Sequence, residues 1–217
     1  MTETYLQATW ETFYMVIAAT GLSTLLGIPL GILLVVTERS GVLPNRWVNT
    51  VLAITVNIFR SIPFIILLVA ILPLTKLLVG SRIGTQAAIV PLTVAAVPFV
   101  ARVIEASLKE IDKGIIEAAR AMGATPRQII QKVLLPEALP GLLLGVIITF
   151  VTLIGYSAMA GAVGGGGLGD LAIREGYMRN NSDVTWVTVV VLVAMVQVFQ
   201  SLGDWLTARI RKRRGLV

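Results

Sequence analysis

The sequence predicts an all-α protein that crosses a membrane five times, and three observations carry that prediction. Of the 217 residues, 56% are hydrophobic and only 14% are charged, and the mean hydropathy is +0.85. A soluble domain has about 25% charged residues and could not bury so much apolar side chain. Five apolar stretches are long enough to span a bilayer, and Lys and Arg are unevenly divided between the segments that join them. Residues 1–217 are therefore expected to form a single transmembrane domain.

Four of the spans are uninterrupted apolar segments. A helix needs about 20 such residues to cross the hydrocarbon layer. The segments that meet this length are residues 12–36, 86–108, 141–163 and 184–206. Each is predicted to be a transmembrane helix.

The second span is less simple, because Arg60-Ser61-Ile62-Pro63 interrupts the apolar run between Trp47 and Leu78. Proline suits the first turn of a helix, where its missing N–H is not needed. We therefore place this span at residues 62–79. Residues 45–59 would form an amphipathic or kinked segment near the membrane surface, and a continuous, kinked second helix is the alternative.

Basic residues predict the orientation of the spans. Twelve of the 18 Lys and Arg residues lie on one side of the five spans and four lie on the other. Basic loops remain in the cytoplasm, so the N-terminus is expected outside and the C-terminus inside. The run Arg211-Lys212-Arg213-Arg214 would then anchor the inner end. Residues 109–140 become the longest inner loop, which is too short to hold a nucleotide-binding domain.

The residue types exclude several kinds of chemistry. The chain has no Cys and no His, which rules out disulfides, thiolate nucleophiles and Cys/His metal sites. It also has no P-loop motif. The glycine run 164–169 formally fits a dinucleotide pattern but follows a membrane helix, so we expect a flexible turn or a conformable outer rim there. No catalytic residue, no metal ligand, no cofactor and no nucleic-acid partner is expected.

Two functions from other classes remain as alternatives to a partner-driven transporter. Gly167-Leu168-Gly169-Asp170 matches the signature of intramembrane aspartyl proteases. That chemistry needs a second carboxylate close enough to share a proton, and no other aspartate lies in the middle of a span. A mutation of Asp170 would separate the protease from a transporter. A stand-alone secondary transporter would instead depend on an ion gradient.

Two charged features lie in or beside the spans. Arg60 is expected either to snorkel at the inner surface, with Ser61 capping a helix that begins at Pro63, or to form an interhelical or partner-facing ion pair. Arg102 and Glu105 are three residues apart on the third span and are expected to form a local ion pair.

The fourth span carries a stripe of polar and adaptable side chains. Thr149, Thr152, Tyr156 and Met159 are spaced by three, four and three residues, so they share one helix face. Ordinary packing is one interpretation. The other is the wall of a solute pathway, with the thioether of Met159 near its outer end.

The inner loop is predicted to contain two short helices. Asp112 can cap the first and Gly123 can end it. Thr125-Pro126-Arg127-Gln128 has the pattern of a capping box and would begin the second, which Pro136 is expected to stop. The first helix carries an apolar stripe that would lie on the membrane or seat in a cytoplasmic partner. The residues of this stripe are Ile115, Ile116, Ala119 and Met122.

The same loop resembles the EAA loop of ABC-importer permeases. It reads Glu117-Ala118-Ala119, three residues, Gly123, nine residues, Val133, one residue, and Leu135-Pro136. The family has isoleucine where this chain has Val133. Residues 57–68, 86–93 and 155–159 are similar to methionine-importer permeases in particular.

The resemblance implies a type I importer fold in the bacterial inner membrane. Two copies of this subunit would bind two cytoplasmic ATPases, which hold ATP and Mg²⁺, and a periplasmic lipoprotein that delivers methionine, including the D-form. Transport would proceed by alternating access. The residues implied to couple to the ATPase are Glu117, Ala118, Ala119, Met122, Gly123, Leu135 and Pro136. Arg60, Ser61 and Pro63 are expected to be structural or partner-facing.

Overall fold

The computed structural model describes residues 2–213, without the side chains of Arg211 and Arg213. Arg214, the last member of the predicted basic anchor, lies outside that range. The described residues form helices and turns and contain no strand. The elements are α1 (Thr2–Val36), α2 (Arg46–Ser61), α3 (Phe64–Ala70), α4 (Leu72–Val79), α5 (Thr85–Lys109), α6 (Lys113–Ala121), α7 (Pro126–Ile129), a π turn (Ile130–Leu134), α8 (Leu135–Gly161), α9 (Gly167–Leu171), a second π turn (Ala172–Tyr177) and α10 (Ser182–Arg213).

Four helical segments are long and apolar enough to cross a bilayer. They are Thr2–Val36, Thr85–Lys109, Pro126–Gly161 and Ser182–Ile210. The bent pair α2 and α3 supplies a fifth span if it crosses as one unit. The all-α fold with four to five apolar spans agrees with the expected fold class.

The helix break near Pro63 is where the sequence predicts it, but its cap differs. Pro63 is the residue before α3, and no side chain caps that helix. Ser61 still belongs to α2, and its hydroxyl donates to the carbonyl of Asn57 at 2.8 Å. The expected Ser61 cap is therefore wrong, because the carbonyl four residues earlier in its own helix lies within reach of the hydroxyl.

The chain divides into two compact units, and several long helices contribute to both. Of the described residues, the first unit contains 2–23, Ile62–Ala96 and Ile147–Leu202. The second contains Thr24–Ser61, Val97–Val146 and residues 203–213.

The first unit is built around an apolar core shared by α1, α3, α5 and α8. Met15, Leu92 and Leu153 are almost completely buried in it. Aromatic rings extend the core toward α10, where Phe150 and Phe199 lie with their ring centroids 4.2 Å apart. Such ring pairs contribute about 0.5–1.5 kcal/mol beyond area burial. This packing holds α8 in place along one side.

The second unit has its own apolar core, which includes the loop between α5 and α8. Ile104 and Leu108 of α5 pack there with Ala119 of α6 and Ile129 of α7. Helices α1 and α5 approach closely at Gly31, where a Cβ atom would lie 2.6 Å from the Cβ of Ile104. The loop between α5 and α8 is therefore a packed part of the fold.

The helix that begins at Pro126 does not stop at Pro136. It passes through the π turn directly into α8, so the expected stop is wrong. A proline inside an α-helix removes one hydrogen bond, and its ring collides with the carbonyl four residues earlier. Directly before this proline the helix widens into the π turn, in which the N–H of Leu135 bonds to the carbonyl of Ile130, five residues back.

Candidate functional site

The α6 helix is a short surface helix of the second unit with a defined cap at each end. The Asp112 side chain accepts a hydrogen bond from the N–H of Gly114 at 2.6 Å. Gly123 follows the helix with φ of 79°, in the left-handed region. Both caps agree with the sequence prediction. They fix the ends of a helix of only nine residues, which would be marginal in isolation.

The apolar stripe of α6 is divided between the core and the surface. Ile116 and Ala119 pack inward, and Ala119 is only 5% exposed. Ile115 is 43% exposed and Met122 is 81% exposed. With Ala118 they form an exposed apolar face at helical spacing. The charged residues of α6, Lys113, Glu117 and Arg120, lie on the opposite side of the helix by the same spacing. An exposed apolar face of this kind is a candidate surface for a partner.

The seven residues predicted to couple to a partner are not equivalent. Glu117, Ala118, Met122 and Gly123 lie exposed on α6 or at its end. Ala119 and Leu135 contribute to the core, and Pro136 is exposed at the start of α8. The small Ala119 side chain lets α6 pack closely on the core of the second unit. One part of the motif therefore forms the exposed surface, and the other part packs the helix against the core.

The capping box after α6 is present as the sequence predicts. The N–H of Thr125 donates to the Gln128 side chain at 2.8 Å, and the N–H of Gln128 donates to the Thr125 hydroxyl at 3.4 Å. Ile129, one residue later, is almost completely buried. This arrangement sets the direction in which the chain enters α8.

Arg120 and Lys109 make contacts that the sequence did not reveal. The Arg120 guanidinium donates to the carbonyl of Gly41 at 2.7 Å. The Lys109 ammonium lies 2.9 Å from Glu105 and 3.2 Å from Glu38. Glu105 and Lys109 are four residues apart on one helix, and this spacing could have predicted their ion pair from the sequence. The contacts to the turn after α1 join residues about 70 to 80 positions apart, and single-sequence periodicity carries no information on them.

Arg102 and Arg60 differ in their surroundings. Arg102 pairs with Glu105 at 2.5 Å, as predicted, and also donates to the Asn57 side chain at 2.7 Å. Arg60 is exposed, and among the described residues no ion pair or hydrogen bond of its side chain is found. Its guanidinium is therefore accessible to solvent, lipid headgroups or a partner.

The stripe on α8, in the first unit, is also divided. Thr149 is 1% exposed and belongs to the packed interior. The Tyr156 ring stacks on Phe64, with centroids 4.5 Å apart and planes at 7°. Met159 is 48% exposed. Thr152 is half-buried, and its hydroxyl donates to the carbonyl of Ile148 at 2.8 Å. The accessible part of the stripe is thus mainly apolar.

The backbone amides at the end of the glycine-rich turn after α8 bond to two side chains of α1. The N–H of Gly167 donates to the Glu11 carboxylate and that of Leu168 to the Thr12 hydroxyl, each at 2.8 Å. Gly166 and Gly167 both have positive φ, of 77° and 76°. Glu11 and Thr12 therefore cap α9, a role that nothing in their own sequence neighbourhood indicated.

Asp170, the residue considered for a protease, forms an ion pair with Arg174 at 3.3 Å. Within residues 2–213, no three acidic side chains come together in a way that could hold a metal ion.

Comparison with known proteins gives consistent results over the whole chain. The profile of the family described as "Binding-protein-dependent transport system inner membrane component" matches residues 5–215. The probable D-methionine transport system permease protein MetI of Vibrio cholerae is 58% identical over 208 residues, covering 96% of this chain and 92% of the relative. The methionine import system permease protein MetP of Bacillus subtilis is 47% identical, covering 95% and 93%. A solved chain of the inward-facing MetNI methionine ABC transporter is 49% identical, covers 97% of each chain and superposes with a TM-score of 0.95.

Proposed function

This chain belongs to the family of binding-protein-dependent transport system inner membrane components, and from that premise we propose that it is the permease subunit of an ATP-driven methionine importer. The observation that carries the proposal is the combination of high identity and full coverage. Relatives named as methionine permeases are 47% to 58% identical over nearly all of both chains. The chain is a transporter component, and ATP hydrolysis belongs to a separate subunit.

The substrate is methionine, including its D-form. Several relatives are named as D-methionine transport permeases, and the relative from Bacillus subtilis is named as a methionine import permease. The accessible, mainly apolar part of the α8 stripe suits an uncharged thioether side chain. Methionine sulfur packs well against aromatic edges and soft apolar surfaces, and Tyr156 and Met159 supply both.

The exposed face of α6 is the surface that engages the ATPase. It presents a large apolar side chain, Met122, on a helix whose ends are fixed by Asp112 and Gly123. A rigid, short helix that projects from a packed loop is suited to fit a cleft in a partner. ATP and its magnesium ion bind to that partner. Closure of two ATPases would move two copies of α6 and re-orient the pathway, as in alternating access.

The remaining partners follow from the same assignment. Two copies of this chain form the membrane channel in the bacterial inner membrane. A periplasmic binding lipoprotein delivers methionine at the outer side, because the outer segment between α8 and α10 is too short to fold into a domain that captures it. The N-terminus lies outside and the C-terminus inside, according to the distribution of Lys and Arg.

An importer of the same architecture for another amino acid or small solute is the second candidate. It shares the fold, the α6 surface and the ATP requirement, so only the solute separates it from the first. The side chains on the accessible α8 face do not include a charged group, which favours an uncharged solute side chain over an acidic or basic one.

The test is reconstitution of this chain with its ATPase and its binding lipoprotein in vesicles. We expect uptake of labelled L- and D-methionine that needs ATP on the inner side and stops when the ATPase is omitted. An excess of unlabelled methionine should abolish uptake, and an excess of other amino acids should not. Uptake of another solute in preference to methionine would support the second candidate. Uptake without the ATPase, driven by an ion gradient, would contradict both.

A further inference from the structure

The turn between α1 and α2 has a fixed conformation. The N–H of Leu43 donates to the carbonyl of Val36 at 2.8 Å, and that of Asn45 donates to Thr37 at 2.9 Å. Gly41 sits where a Cβ atom would collide with the Val36 carbonyl oxygen. The turn, residues 37–45, is therefore a small rigid element that can carry a displacement.

This turn is attached to α6 through one side chain. Arg120 lies in the last turn of α6, and its guanidinium donates to the Gly41 carbonyl at 2.7 Å. A hydrogen bond from a charged donor is roughly twice as strong as a neutral one. Arg120 is thus a direct link from α6 to an element 79 residues earlier in the chain.

The turn is also attached to α5 through a line of ion pairs. Glu38 lies 3.2 Å from the Lys109 ammonium, and Lys109 lies 2.9 Å from Glu105. Glu105 is buried and binds Arg102, which reaches the Asn57 side chain of α2. Arg120, Gly41, Glu38, Lys109, Glu105 and Arg102 are called the polar line below.

Apolar contacts hold α6 and the turn on their core side, where Ile116 and Val42 both pack on the core of the second unit. A cavity of about 390 Å³ opens beside these contacts, and its lining includes Gly41, Val42, Ile116 and Arg120. The hydrogen bond from Arg120 to the Gly41 carbonyl connects the two elements at this cavity.

We propose that the polar line transmits the movement of α6 to the inner ends of α1, α2 and α5, with Arg120 and Glu38 as positioning residues. The inference rests on the proposed function, in which an ATPase displaces α6. Covalently, α6 is joined to α5 by three residues, 110–112, and to α7 by residues 122–125. The hydrogen bond from Arg120 adds a directional attachment to these covalent joints and to the apolar contacts, so that a displacement of α6 displaces the turn with it.

The first test measures ATP hydrolysed per methionine taken up in reconstituted vesicles. Arg120→Met and Glu38→Gln should keep ATPase binding but raise this ratio several-fold. Two matched variants serve as controls. Arg120→Lys keeps a cationic donor for the Gly41 carbonyl, and Glu110→Gln removes an exposed carboxylate next to Lys109 that forms no ion pair among the described residues. Both should remain near the wild-type ratio. A normal ratio in Arg120→Met and Glu38→Gln would overturn the proposal.

The coupling of Glu38 to Lys109 is tested by a double-mutant cycle. If the two residues act through their ion pair, Glu38→Gln combined with Lys109→Met should be no worse than the more severe single variant. Independent, additive losses would contradict a shared role. Thermal unfolding of the same variants separates a loss of coupling from a loss of fold, because only the former leaves the melting temperature unchanged.

A second test does not need methionine. The chain has no native cysteine, so Ser40→Cys or Lys113→Cys gives one spin label per copy and one label pair per dimer. On ATP binding we expect the label pair on the turn and the pair on α6 to shift together. In Arg120→Met the α6 pair should still shift and the turn pair should not. A turn pair that shifts normally in Arg120→Met would refute transmission, whereas no shift at α6 in the unmodified background would refute the proposed coupling role of α6 itself.

Discussion

At the scale of a single residue, Gly123 decides how α6 ends. Its φ of 79° is left-handed, and no heavy atom lies within 4 Å of the position that a Cβ would occupy. A substitution there therefore changes the backbone and creates no collision. For an ordinary L-residue the left-handed conformation costs roughly 1–2 kcal/mol, while asparagine tolerates it better.

We expect Gly123→Val to insert and form the dimer but to bind the ATPase poorly or to leave hydrolysis uncoupled from uptake. The strain is too small to unfold several packed spans but large enough to shift a short helix. Gly123→Asn is the matched control and should stay close to wild type. The measurements are ATPase pull-down and vesicle uptake. Wild-type uptake by Gly123→Val would show that α6 is not the element that couples ATP hydrolysis to transport.

Thr12 is a second residue with a separable role. Its hydroxyl accepts from the N–H of Leu168, a residue with no exposed surface. Thr12→Val leaves that N–H without its acceptor, which should lower the free energy of unfolding by about 1–3 kcal/mol. Thr9→Val is the control, because the Thr9 hydroxyl bonds only to Tyr5 in its own helix. Thermal unfolding in detergent compares them, and equal melting temperatures would argue against the cap.

At the scale of an element, α8 shows what periodicity predicts and what it misses. A spacing of three and four residues placed Thr149, Thr152, Tyr156 and Met159 on one helix face, which is geometry that any helix obeys. Which of them remain accessible depends on the neighbouring helices. Thr149 is buried and Tyr156 is stacked on Phe64, facts that follow from long-range packing.

The accessible members of the α8 stripe are expected to affect transport. Met159→Ala and Thr152→Val should change the uptake rate or its KM while the amount of assembled complex stays the same, because both side chains lie at the accessible edge of the stripe. Tyr156→Phe is the control, since it keeps the stacked ring and loses only the hydroxyl. If Met159→Ala and Thr152→Val transport at wild-type rates, the stripe serves packing only.

The connection from α7 to α8 was not predicted correctly from local sequence patterns. Proline commonly ends a helix, and Pro136 was expected to do so. The π turn at 130–134 instead carries the helix past it. A π turn has no sequence signature of its own, and Ile129 and Leu134, which lie beside and in this one, are buried in the core of the second unit.

At the scale of the whole molecule, hydropathy and charge were sufficient for the fold class but not for the internal connections. The apolar spans and the caps of α6 are local features and were predictable. The Arg120 contact with Gly41 and the Glu11 contact with Gly167 join distant segments. Their partners are backbone groups, which every residue has, so side-chain patterns could not identify them.

The orientation of the molecule has a direct test. With no native cysteine, single substitutions report sidedness without background. Ala121→Cys should react with a membrane-impermeant maleimide only after the cells are opened, and Arg179→Cys should react in spheroplasts, because the Lys and Arg bias places residue 121 inside and residue 179 outside. The opposite labelling pattern would invert the proposed topology.

The contacts of Glu11 and Thr12 with the start of α9 join residues 156 positions apart. This separation determines when during synthesis the contacts can form. The first helix is made early, and Gly167 and Leu168 follow roughly eight to thirty seconds later at about 5–20 residues per second. Until then Glu11 and Thr12 lack the backbone amides that they pair with in the folded protein. The contact between α1 and α9 can therefore form only after most of residues 1–217 have been made, and a chain truncated before residue 167 lacks it.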